Sequence, residues 1–200
     1  MSPVRMLPAA LFLLCPSTFS QSAAIPAPAA QYTTDGAMLR PDRYREWIYL
    51  STGFDMSYNP AMGMGQHLFN NVFVNPEAYR AYLAAGTWPD KTVLALEVRG
   101  ATGKGSINKA GQFQGAKVVG LEVHVKDTAR FAGQWAFYSF DSERPAVMIP
   151  RSADCYSCHT RHAAVDTTFV QFYPTLLPIA QARGTLSALY KRDVAESEHK

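Results

Sequence analysis

The sequence predicts an α+β domain, a mainly antiparallel β-sheet with short flanking helices. Runs rich in β-branched and aromatic residues crowd the middle of the chain, while helical patterns fall at its ends. No strand–helix–strand alternation of the kind that builds a parallel sheet recurs. With 200 residues, 48% of them apolar, the chain suits one domain with a real core.

The first 24 residues have the form of a signal peptide. Arg5 gives the positive start, "MLPAALFLLC" (6–15) the short apolar run, and "STFSQSAA" (17–24) the small residues of a cleavage region. That run is too short for a permanent membrane span. Cleavage would remove Cys15 and leave two of the three cysteines. Ala/Pro-rich residues 25–34 read as a flexible leader, and the folded domain is expected over 35–180.

In "RPDRYREWIYLS" (40–51), Pro41 suits a first helical turn, and an apolar stretch follows over 47–50. "HLFNNVFVN" (67–75) alternates and reads as a strand. "PEAYRAYLAAG" (76–86) is a short helix, opened by Pro76 and stopped by Gly86. "TVLALEVRG" (92–100), "AKVVGLEVHVKD" (116–127) and "GQWAFYSF" (133–140) are three further strands, with residues 100–112 as a loop or hairpin end. "DTTFVQFYPTLLPIA" (166–180) reads as a helix with Asp166 as N-cap and Phe169, Phe172 and Leu176 on one face. Residues 181–200 form a C-terminal helix or tail, and "KRDVAESEHK" is polar enough to fray.

The formal net charge is only +3, with Lys and Arg scattered along the chain. That pattern marks no nucleic-acid surface. The chemistry is concentrated in "CYSCH" (155–159), the C-x-x-C-H attachment signature of c-type haem. Thiols at i and i+3 project from one face of a helical turn toward two vinyl groups, and the adjacent His159 can ligate the iron from the proximal side. Structural zinc would want four ligands, and no second cysteine pair exists. A thioredoxin-like dithiol belongs to a parallel-sheet fold, and a disulfide between Cys155 and Cys158 would close a tiny loop and stabilise little.

Function then turns on the far side of the iron. Met56, Met62, Met64 and Met148 are candidate distal ligands for an electron carrier, against their ordinary use as core filler. His162 follows His159 too closely to reach the distal side, and His67 and His124 fall within strands.

The stretches "RPDRYREWIYLSTG", "FNNVFVNPEAYRAYLAAGTWPD", "GLEVHVKD", "WAFYSF" and "CYSCHTRHAAVDTTFVQFYPTL" resemble the cytochrome P-460 family, which includes cytochrome c-prime-beta. The resemblance implies a β-rich homodimeric haem c protein of the periplasm, five-coordinate with an open distal site. Family members that oxidise hydroxylamine carry a lysine cross-linked to the haem ring, and the matching position here is Leu96. Lys91 and Lys104 stand elsewhere. Without an amine at that place no nitrogen–carbon link can form, so the resemblance implies binding or scavenging of NO or a similar small gaseous or nitrogenous ligand. Hydroxylamine or NO oxidation and Met-ligated electron transfer to a small redox partner are the alternatives.

Leu96 is accordingly expected over the haem. Phe69 and Phe73, four apart in one strand, share a face and are expected to line the pocket together, with Phe54, Tyr58 and Trp88 as further lid candidates. Arg99, Lys126, Arg151 and Arg161 are candidate partners for the haem propionates.

Overall fold

The computed structural model describes residues 29–57 and 66–197. After a 3-10 turn at Tyr44–Glu46 come β1 (Ile48–Phe54), β2 (Leu68–Val74), α1 (Pro76–Ala85), β3 (Val93–Thr102), β4 (Phe113–Lys126) and β5 (Trp135–Phe140). Then follow α2 (Asp154–His162), a 3-10 turn at Val170–Phe172, α3 (Leu177–Arg183) and α4 (Ala188–Ser197). The five strands form one sheet in the order β1-β2-β3-β4-β5, and every pair is antiparallel. The chain is therefore α+β with an antiparallel sheet and short helices.

Because side chains alternate along a strand, register fixes two faces. Across one face run Val72, Leu96, Glu122 and Ser139, each directly opposite the next. Val74, Leu94, His124 and Phe137 form the adjacent row. The helices pack on this side, where Leu50, Val74, Leu94 and Trp135 join Tyr82 of α1, Val170 and Leu176 in one core. A second core covers the other face, with Val93, Ala95, Leu121, Val123 and Tyr138 packed under Met38 and Tyr44.

α1 starts at Pro76 and stops at Gly86, whose φ of 72° is left-handed and whose N–H donates to the Tyr82 carbonyl. Its boundaries match those expected. The helix expected over 166–180 does not form. Asp166 is no N-cap but sits at φ 52°, and only the 3-10 turn Val170–Phe172 precedes α3. Pro174 explains the break, since it lacks an N–H and pushes Tyr173 out of the helical region. Part of the expected leader belongs to the fold: Tyr32 packs on Tyr138 at 6.3 Å between ring centroids, and its chain bridges Met38. The polar tail is helical through Ser197, held to α2 by His162 Nδ1 and Asp193 at 2.9 Å. The expected signal peptide (1–24) lies outside the described residues.

Candidate functional site

The helix side of the sheet encloses a cavity of about 560 Å³. Val72, Leu94, Leu96 and Phe137 form its sheet wall, and Cys155, His159, Phe169, Phe172 and Tyr173 its opposite wall. Its size and largely apolar lining are those of a cofactor pocket.

α2 carries both thiols. Cys155 and Cys158 are free and partly buried, one helical turn apart, and Cys155 lines the cavity. Burial pushes the Cys155 thiol above its ordinary pKa, so it is a neutral thiol at neutral pH. α2 has no buried residue of its own. It is held from both sides: the Tyr156 hydroxyl accepts from the Phe137 N–H at 3.2 Å and donates to the Ile149 carbonyl at 3.0 Å, while Gln171 donates to the His162 carbonyl at 2.8 Å and accepts from the Ala164 N–H at 3.0 Å.

His159 is the group best prepared for a metal. Its Nδ1 lies 2.7 Å from the Thr167 carbonyl oxygen. A carbonyl only accepts, so Nδ1 carries the hydrogen and Nε2 keeps a free lone pair. Phe169, Phe137 and His124 pack around the ring at centroid distances of 4.2, 4.6 and 5.3 Å. Burial lowers the pKa of His159, against the opposing pull of the Thr167 bond. A neutral imidazole with a free Nε2, two thiols on one helix and an apolar slot make a donor set that fits haem c. Among the described residues no three His, Cys, Asp or Glu side chains gather as a metal-ion site.

The structure brings Leu96 to the same cavity as Cys155 and His159. Phe69 and Phe73 require a correction. They share a face, but it is the far one: Phe73 packs edge-on against Tyr44 and Tyr49, and Phe69 against Phe54. The residues β2 turns toward the cavity are Asn70 and Val72. Phe54 stacks on His67 on that far side, and Trp88 is buried in the helix-side core with its indole N–H on Thr168. Met56 lines the cavity and its side chain lies over Gly53, while Met148 is 39% exposed. Tyr58, Met62 and Met64 lie outside the described residues. Arg99 is held on the far face by Glu97 and the carbonyls of Gly115 and Ala116. Arg151 donates to the Trp135 carbonyl, and Lys126 to the Trp88 carbonyl and Asp166. Arg161 is exposed on α2.

Two cavity residues escaped the sequence reading. Glu122, directly opposite Leu96, is the single carboxyl among the described lining residues. It opens onto the cavity, where the surrounding protein withdraws enough water to push its pKa above 4.5. His124 is stacked on Phe137 at 3.9 Å, and burial drops its pKa well below 6.5, so its ring is neutral. Only the β3–β4 register could have joined either residue to Leu96.

The family model Cytochrome P460 matches residues 41–170. No curated protein matches the chain.

Proposed function

Because the chain belongs to the cytochrome P460 family of c-type haem proteins, we propose that this cavity holds a covalently attached haem whose open side binds or scavenges NO or a similar small neutral ligand. Cys155 and Cys158 would supply the thioether sulfurs and His159 Nε2 the proximal ligand. Bound there, haem supplies an iron centre for ligand binding or one-electron exchange. Leu96 is the observation that carries the reading. It presents an aliphatic wall with no amine and no hydrogen-bond donor, and Val72 beside it does the same. Such a wall favours small uncharged molecules over ionic ones. The N-terminal segment fits export to the periplasm, and covalent attachment keeps the cofactor with an exported protein.

The test is the absorption spectrum of the ferrous holoprotein before and after NO. A five-coordinate, high-spin spectrum that changes on NO addition is expected. A six-coordinate, low-spin spectrum before any ligand is added would overturn the reading.

Two observations favour the alternatives. Oxidation of hydroxylamine sheds protons as well as electrons, and Glu122 is a pocket carboxyl able to accept one. That reading predicts a strongly red-shifted ferrous Soret band and an extra bond in the haem-peptide mass. Met56 lines the cavity and could act as a distal ligand for an electron carrier. Met56→Ala would then convert a low-spin spectrum to high-spin.

A further inference from the structure

The Thr167 carbonyl that fixes the His159 tautomer lies in a turn held from outside. We propose that Lys126, acting through Asp166, and Trp88, acting through Thr168, are positioning residues for His159: together they set the turn that presents the Thr167 carbonyl to Nδ1. The turn runs from Val165 to Thr168, closed by the Thr168 N–H on the Val165 carbonyl at 2.9 Å. Its second residue, Asp166, is a non-glycine at φ 52°, a left-handed conformation that few residues adopt and that Asp tolerates better than most.

Two restraints hold the turn in place. The Lys126 ammonium is buried and donates to the Trp88 carbonyl at 2.8 Å and to the Asp166 carboxylate at 3.3 Å. The Trp88 indole N–H donates to Thr168 Oγ1 at 2.7 Å, and that hydroxyl donates to the Val165 carbonyl at 2.8 Å. Lys126 thus ties together the two arms that reach the turn. β4 adds a further contact two residues earlier, with His124 Nε2 3.3 Å from Thr167 Oγ1.

A carbonyl accepting from Nδ1–H makes an imidazole a stronger donor to its metal, which favours ferric iron. Loosening the turn weakens that bond and raises the midpoint potential. The sign separates positioning from simple charge. Lys126→Met removes a cation, which by Coulomb's law alone would favour ferric iron and lower the potential. Positioning predicts a rise. Trp88→Phe keeps an aromatic ring, removes only the N–H donor and changes no charge, so it serves if Lys126→Met fails to fold.

The experiment is redox titration and resonance Raman spectroscopy of the ferrous holoprotein, wild type against both variants. Each folded variant is expected to shift the ferrous-to-ferric ratio at fixed potential about tenfold toward ferrous, about 59 mV for a one-electron couple. Each is also expected to lower the iron–histidine stretching frequency. An unchanged or lowered potential with the wild-type stretch retained in either folded variant overturns the proposal. The inference rests on His159 as the haem ligand. If that reading fails, the wild type lacks the iron–histidine band. If only the positioning fails, the band is present and the variants leave it in place.

Discussion

Leu96 and Glu122 face each other across one β-bridge, and their chemistries point in different directions. Placing an amine on this wall tests what its absence means. After treatment with peroxide, which takes up the two hydrogens lost as the nitrogen–carbon bond forms, Leu96→Lys is expected to red-shift the ferrous Soret band and to lower the haem-peptide mass by those hydrogens, measured by absorption and mass spectrometry of the holoprotein. Glu122 makes a separate prediction about stability. Its folded pKa lies above its ordinary 4.5 because of desolvation, so the folded state penalises the ionised form. That penalty is present above the raised value and vanishes below pH 4.5. Glu122→Gln is therefore expected to raise the melting temperature at pH 7, with the gain disappearing as pH falls through 4.5. A gain that persists unchanged at pH 4 would contradict the desolvation account.

At the scale of elements, what could be read from the sequence followed local chemistry. Pro76 and Gly86 bracket α1 because one lacks an N–H that the first turn does not need and the other tolerates φ 72°. Gly86→Ala is expected to destabilise by about 1–2 kcal/mol in a thermal or urea melt. An alanine Cβ there would also meet the Arg183 side chain at 2.8 Å. That Cys155, His159 and Leu96 would meet at one cavity followed from a motif and a family resemblance. Phe69 and Phe73 were misplaced because β2 is apolar on both faces. Its alternation showed that the two rings share a side without saying which side, since Val72 and Val74 are equally apolar. The helix expected over 166–180 failed for a different reason. Apolar spacing there outweighed the signal of Pro174. The turn from Val165 to Thr168 depends on Lys126, 40 residues before Asp166, and on Trp88, 80 residues before Thr168. No local pattern encodes links of that length.

The whole molecule is a sheet with a separate core on each face, and the cavity lies on the helix side. The far core is closed by a buried ionic cluster in which Glu97 accepts from Tyr44, Arg45 and Arg99. Burial works against ionising Glu97, but the three donors outweigh it and hold its pKa below 4.5. Its contribution is therefore present above 4.5 and lost as pH falls through the depressed value. Glu97→Gln should cost about 3 kcal/mol at neutral pH, because it leaves buried donors facing a neutral partner. The gap to wild type in pH-dependent melts should narrow under acid. Removing the cofactor should act on the other face. In a Cys155→Ala, Cys158→Ala variant, amide exchange is expected to rise most in α2, which buries no residue of its own, and least in β3 and β4.

The strand order carries a consequence for how the protein matures. Each strand pairs with its neighbour in sequence, so the sheet closes short loops one after another and has no need to wait for distant chain. α2 follows the last strand; Tyr156 ties it back to β5 and to the Ile149 carbonyl, and Gln171 and Asp193 add their hold from behind. The sheet wall of the cavity can thus be complete while the segment bearing both thiols is still held from one side alone.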